Sequence, residues 1–387
     1  MRIIMPKWLT KMKLTIVAML VLLSIAFAWG YQEHQMQNQA TYDISLGSPI
    51  GYFNDLGQGH FLDEQDNVVA SIMSDSTGGE DLGQGSQASS WQTYPIPTQL
   101  YMLWFSLSDN QFYEGTFNLP PKQELAYAFN EQKILDVFGS RAGKMDKAYN
   151  QLTVNIAPEG KVYLYLSGRM NKLIGSYQAT PIDYDWLEWN TQSPFEYTKD
   201  VYREADPLVD LPDPLDPTNN RILVTTGPKI YLTREEAIAE RLDDFKMLVP
   251  DQPNSYNEGY FDPVQISLRL EGENVEKLVA YSVSTINGER FDILDNSEEN
   301  IITSIPTILL VDFEYKGVLK RYQFSLSSSF VPSASKSELY QFYQKNFNLK
   351  QKVEMILNIP NEDEGFVYFQ QGEKRVEFTN ISLDERW

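Results

Sequence analysis

Apolar residues alternate with Asp and Ser from Tyr42 to Leu46, a period of two that predicts a strand. Val68 to Ile72 predicts a second short strand. The runs Leu100–Leu107 and Phe112–Leu119 flank the polar turn Ser108-Asp109-Asn110, the pattern of a β-hairpin. It is entered through the Pro-bracketed turn Tyr94-Pro95-Ile96-Pro97 and ends at Pro120-Pro121. The period then changes. Leu125, Ala128, Phe129, Leu135 and Phe138 fall at helical spacing and predict a helix over Lys122–Phe138, with a break near Asn130 and a stop at Gly139. Gln151–Ile156 and Lys161–Leu166 alternate around Ala157-Pro158-Glu159-Gly160 as a second hairpin, and Lys172–Ala179 predicts the last strand of this unit.

From Pro181 to Asn220 the pattern dissolves into Pro and acidic residues, read as a linker or covering loop with Trp186 and Trp189 packed back on the first unit. Thr233-Arg234-Glu235-Glu236 has the form of a capping box. Ile238, Leu242, Phe245 and Val249 follow on one face, so a helix is predicted over 233–249, ended by Pro250.

The remaining third repeats the grammar of the first. Ile305-Pro306-Thr307 matches Ile96-Pro97-Thr98, Leu309 matches Leu100, and Tyr322–Leu326 echoes Phe117–Leu119. A second helix is expected behind a capping box at Ser335–Glu338. Asn358-Ile359 answers Asn155-Ile156, and Gly365–Tyr368 answers Gly160–Tyr163. Upstream, Val264–Leu270 alternates like Tyr42–Leu46, and Val279–Thr285 is a further strand. This ordered agreement at an offset of about 203–209 residues predicts an internal duplication. The expected fold is α+β: two similar, mainly antiparallel β domains, each with one helix, behind an N-terminal apolar anchor. The domains are placed at 40–190 and 263–387, with 191–262 as the linker carrying the 233–249 helix.

Composition narrows the function. At 387 residues the chain exceeds the size at which one core keeps growing. Its 42% hydrophobic and 13% aromatic content supports packed domains. A net charge of −21 argues against nucleic acid as a partner and against broad adhesion to anionic lipid. The absence of cysteine removes disulfides, thiolate nucleophiles and Cys-type metal sites, and two histidines, His34 and His60, leave little for a His-rich one.

The N-terminus carries the compartment signal. Arg2, Lys7, Lys11 and Lys13 precede an uncharged apolar run of 16 residues, Leu14–Trp29, just short of the ~17–25 that span a bilayer. It reads as a signal anchor over 1–31, holding a single-pass inner-membrane protein whose bulk faces the periplasm; the membrane is then a partner through residues 14–29. Ala26-Phe27-Ala28 offers the alternative of cleavage before Trp29 and a soluble periplasmic product.

Candidate chemistry is sparse. Asp55-Leu56-Gly57-Gln58-Gly59 recurs as Asp81-Leu82-Gly83-Gln84-Gly85; without a strand before and a helix after, the glycines read as loop conformers rather than a phosphate cradle. Asp183, Asp185 and Glu188 beside Trp186 and Trp189 form the best carboxylate cluster for a hydrolase. A Ser–His–Asp triad would have to use His60, and no Gly-x-Ser-x-Gly elbow supports it. No catalytic, cofactor-binding or metal residue is assigned, and no cofactor is expected. The candidate binding surface is aromatic: Trp91, Trp104, Phe105, Phe112, Tyr113, Trp186 and Trp189, residue types enriched at binding hot spots.

A family pattern runs through the same region. Trp91, Tyr94-Pro95-Ile96-Pro97, Trp104-Phe105-Ser106, Phe112-Tyr113-Glu114-Gly115, Asn118-Leu119-Pro120, Lys133-Ile134-Leu135, Ile156–Gly160 and Leu166-Ser167-Gly168 resemble domain of unknown function family 2931 over about residues 40–190. The resemblance implies an uncharacterised, often envelope-directed protein of Gram-negative bacteria and supplies no catalytic residues. Many members look like lipoproteins; this chain has no lipobox cysteine, so its apolar N-terminus would take the place of the lipid. The expected function is a non-enzymatic protein-binding or structural role in the envelope, in a sharper form as an immunity or inhibitor protein against a periplasmic toxin. The alternative is a carboxylate-dependent hydrolase of an envelope polysaccharide.

Overall fold

The alternation at Tyr42–Leu46 becomes strand β1 (Gln39–Gly47), which lies parallel to a strand more than a hundred residues later, β7 (Tyr149–Ala157), with Ile44 opposite Leu152. That parallel pair sits at the centre of the first unit's first sheet, ordered β9 (Lys172–Gln178), β8 (Lys161–Gly168), β7, β1, with β4 (Gln92–Pro95) also pairing β1. The second sheet runs β10 (Thr180–Ile182), β6 (Gln111–Asn118), β5 (Gln99–Ser106), β2 (Asn54–Leu62), β3 (Val68–Ser71). The computed structural model describes residues 38–73, 76–77, 81–89, 91–134, 145–192, 198–200, 229–239, 256–293, 301–327, 332–361 and 364–385. The apolar N-terminal run, His34, Gly139 and residues 240–249 of the expected helix lie outside them. Among the described residues no helix is long and apolar enough to cross a membrane.

Both sheets of the first unit contribute to one core. Tyr42, Ile44 and Leu46 of β1 meet Leu100, Met102 and Trp104 of β5 there. Helix α1 (Lys122–Asn130) adds Leu125, Ala126 and Phe129, the last stacked on Tyr42 at 4.7 Å. The helix ends at Asn130 rather than Phe138. The Asn130 side chain folds back to donate to Ala126 O at 2.9 Å, and Glu131 is extended. The break read near Asn130 is thus the terminus. Thr180–Ile182 adds a strand beyond Ala179, pairing Tyr113 with Pro181.

The second unit repeats the ten strands and the helix named above, without the first unit's short strands Ser76–Thr77, Ser86–Gln87, Gln132–Ile134 and Met145–Lys147. β11 (Ile266–Glu271), β12 (Val275–Thr285), β13 (Arg290–Ile293), β14 (Ile301–Ile302), β15 (Pro306–Tyr315) and β16 (Val318–Ser325) answer β1–β6 in order. The intervening segment carries α2 (Trp186–Gln192), and α3 (Pro332–Asn346), between β16 and the strand that follows it, answers α1. β17 (Val353–Asn361), β18 (Glu364–Gln371), β19 (Lys374–Phe378) and β20 (Ser382–Glu385) answer β7–β10. β11 is parallel to β17 as β1 is to β7, and the sheet orders β14-β11-β17-β18-β19 and β13-β12-β15-β16-β20 reproduce the first unit's pairings. Even the hairpin closures coincide: Leu119 N donates to Thr98 O at 2.9 Å and Leu326 N to Thr307 O at 2.8 Å. The chain is mostly β, with two similar domains.

Two details depart from the sequence reading, and a third separates the two units. α3 starts at Pro332, so Ser335–Glu338 lies inside the helix and does not cap it. Leu357 pairs with Val367 as Val154 pairs with Leu164, so Val367 answers Leu164 and not Val162; a shift of two keeps the same face inward. The β15–β16 turn is two residues, Lys316-Gly317, both at positive φ (51° and 72°), where the first unit uses four.

Burial also sets an alkaline limit. Tyr101 and Tyr113 are pushed up to about 12, chiefly by burial and then by Glu114 and Asp109 respectively; burial does the same for Tyr149 and Tyr281. A phenol held above its ordinary ~10 stabilises the fold fully below pH ~10 and loses that contribution as pH rises through about 12. Stability in urea should therefore be flat to about pH 9.5 and fall steeply above pH 10, with phenolate absorbance at 295 nm rising with unfolding. A fold equally stable at pH 9 and pH 12 would contradict this.

Candidate functional site

The aromatic set divides by where the pleat aims it. Successive residues of β5 point to opposite faces, so Trp104 enters the core and Phe105 the outer face. Trp104 is fully buried and stacks on Tyr113 at 5.5 Å. Phe105 and Phe112, paired across the hairpin, are as deeply buried on the other side, under Trp186 and Trp189 of α2. Those two indoles, read as lying in a loop, are carried by a short helix. Trp189 reaches β2 over Gly57, where an added Cβ would come within 2.4 Å of its ring. The first Asp-Leu-Gly-Gln-Gly copy is accordingly strand, not loop, because the glycine makes room for an indole.

Residues 229–239 complete this cover. Trp186 Nε1 donates to Leu232 O at 2.8 Å, and the Arg234 guanidinium lies 5.0 Å from the Phe105 ring and 5.2 Å from Phe112. The capping box forms as read: Thr233 N donates to Glu236 Oε2 at 2.8 Å and Glu236 N to Thr233 Oγ1 at 3.3 Å. Trp104, Phe105, Phe112, Tyr113 and Trp189 are thus interior packing. Trp186 is half-buried, and Trp91 is 52% exposed. Met73, 76% exposed, lies on the neighbouring segment, its N–H donating to Ala88 O at 2.7 Å three residues before Trp91.

The carboxylate cluster has a local explanation. Asp185 Oδ1 accepts from Glu188 N at 2.7 Å, the N-terminal cap of α2. His60 Nδ1 lies 3.1 Å from Ser71 Oγ across β2–β3, and its ring stacks beside Tyr101.

The second Asp-Leu-Gly-Gln-Gly copy does something else: it is where the two units meet. Gly83 (φ +75°) and Gly288 (φ +86°) lie back to back, and a Cβ on Gly83 would stand 2.2 Å from Gly288 O. Buried Asn155 holds the loop through two bonds of 2.7 Å, accepting from Gly83 N and donating to Gln84 O. Asn171 and Arg290 exchange both backbone bonds at 2.8 Å, and the fully buried Tyr165 hydroxyl donates to Asn287 O at 2.7 Å. Tyr163 stacks on Phe261 at 4.0 Å. The sequence trace of this contact was the unbroken run Val162–Leu166, which signals a strand covered on both faces rather than one. Asn155→Ala should cost about 1–3 kcal/mol, since it strands the buried Gly83 N–H and removes a donor from the Gln84 carbonyl; urea unfolding that shifts by less than about 0.5 kcal/mol would exclude this role.

Beside that contact a cleft of about 200 Å³ opens between the units. Lys336 of α3, 3% exposed, reaches its edge and binds Asp81 Oδ1 at 2.5 Å. Glu289, Arg290, Thr307 and Ser327 line the rest.

No curated protein and no solved structure matches the chain. The model of the family described as "Protein of unknown function (DUF2931)" matches residues 30–259, so the match takes in the first unit, the aromatic hairpin and the segment that covers it. Spanning more than half of the chain, it establishes that the protein belongs to the DUF2931 family.

Proposed function

We propose that this is an exported envelope protein with a protein-binding role, held by its apolar N-terminus and engaging its partner through the rim of the first unit at Trp91 and Met73. The observation that carries this is the exposure of Trp91. Of the seven aromatic residues singled out, it alone is largely in solvent, and an exposed, unbranched Met on the neighbouring segment offers a second, adaptable apolar group. Edge strand β3, four residues long, borders the same rim. The charge of −21 favours a basic partner and steers it on approach. An immunity or inhibitor protein against a periplasmic toxin is the sharper form of this reading, and the acidity of the chain and its apolar N-terminal run support it.

Capture from envelope extracts on immobilised protein, compared with a Trp91→Ala/Met73→Ser double variant, tests it. The expected result is one stoichiometric protein retained by the wild type, lost from the variant and eluted by moderate salt. Identical retention by both, or sugar-dependent thermal stabilisation with no protein retained, would overturn it. Intact mass of the mature protein tests the anchor: a chain beginning at Trp29 means cleavage.

A further inference from the structure

We propose that the cleft between the two units binds a small solute through a carboxylate or phosphate group, with Lys336 and Arg290 as its two cationic ligands. The basis is a count of donors against acceptors. An ammonium carries three donors, and Lys336, almost wholly buried, spends one of them on Asp81. The Arg290 backbone is fixed to Asn171, while its guanidinium, with five donors, bonds no acceptor among the described residues. The carboxylates that line the cleft are already engaged. Asp81 Oδ1 accepts from Lys336 and from Leu82 N at 2.9 Å. Glu289 accepts from Leu173 N and from Asn287 Nδ2, each at 3.2 Å. Thr307 Oγ1 donates to Ser284 O at 3.0 Å, while the Ser327 hydroxyl, also in the lining, bonds no group among the described residues.

Lys336 buried and Arg290 exposed, both lining one cleft with donors unspent, is an arrangement that an oxyanion complements. The lining carries two carboxylates and two cations, so the surplus is one of unused donors and not of net charge; at 0.15 M salt charges beyond about 8 Å are largely screened from the site. The volume, about 200 Å³, falls below the ~300–1,000 Å³ of sites for drug-sized ligands and limits the solute to a few heavy atoms. Lys336 and Arg290 both belong to the second unit and both lie at its contact with the first, Lys336 through Asp81 and Arg290 through its backbone bonds to Asn171. Binding is then linked to that contact.

Calorimetric titration of the full chain in neutral detergent at constant ionic strength tests the proposal, with inorganic phosphate in one arm, acetate in a second and glycerol as the uncharged control. The expected result is saturable binding of phosphate or acetate but not glycerol, at millimolar affinity or better. Arg290→Gln should weaken it at least tenfold while leaving the unliganded unfolding midpoint in place. Lys336→Gln should abolish it. No saturable heat with either anion, equal binding of glycerol, or an Arg290→Gln affinity equal to wild type would overturn the proposal, whether or not Lys336→Gln folds. None of these results bears on the Trp91 rim.

Discussion

Gly288→Ala is expected to destabilise the protein by about 3 kcal/mol and to loosen the two units from each other. Two costs combine. A non-glycine residue at φ +86° pays roughly 1–2 kcal/mol for the left-handed conformation. The new Cβ would also stand 2.3 Å from the backbone of Leu82, and no rotamer change can relieve a clash between main chains, so overpacking adds about 1–3 kcal/mol. Gly317→Ala is the internal control. Its φ is +72°, but nothing lies within 4 Å of the added Cβ, so only the conformational cost of about 1–2 kcal/mol remains. Urea unfolding gives the two energies, and limited proteolysis reports the separation. If both variants lose the same stability, the glycine contact does not hold the units together.

The duplication was legible because it rests on local grammar: Ile-Pro-Thr before a hairpin, Leu at the closure, and period-two alternation in the strands. Those signals depend on neighbours along the chain, and the fold honours them even in the shared Thr98–Leu119 and Thr307–Leu326 bonds. What was not legible depends on partners far away. Gly57 reads as a loop glycine until Trp189 is seen filling the space over it. Asn155 and Asn358 match in sequence, yet Asn155 is wholly buried against the Gly83 loop while Asn358 is partly open, because only the first unit presents that sheet face to the other. The cleft was hidden for the same reason. Asp81 and Lys336 stand 255 residues apart, and no periodicity links them.

The hairpin that carries most of the aromatic residues should separate stability from binding. Trp104→Ala is expected to cost about 3–5 kcal/mol, the range for deleting a large buried aromatic. Trp104→Phe should cost much less, because the indole Nε1 has no hydrogen-bond partner and its loss removes an unsatisfied buried donor along with some volume. Phe313 stands at the answering place of the second hairpin, fully buried and edge-on to Tyr322 at 5.2 Å, so Phe313→Ala should fall in the same 3–5 kcal/mol range. The outer faces differ. Where Phe105 and Phe112 lie beneath α2 and Arg234, the second hairpin carries Glu314 and the Asp312–Arg321 pair, bonded at 2.6 and 2.8 Å. The Asp312–Arg321 pair is itself buried, with Asp312 3% exposed, while Leu319, opposite Glu314 where Phe112 stands in the first unit, is 39% exposed. Trp91→Ala, at the exposed rim, should change stability by no more than about 0.5 kcal/mol while removing the captured partner. If Trp91→Ala instead unfolds the first unit, the rim is part of its core and the binding reading fails with it.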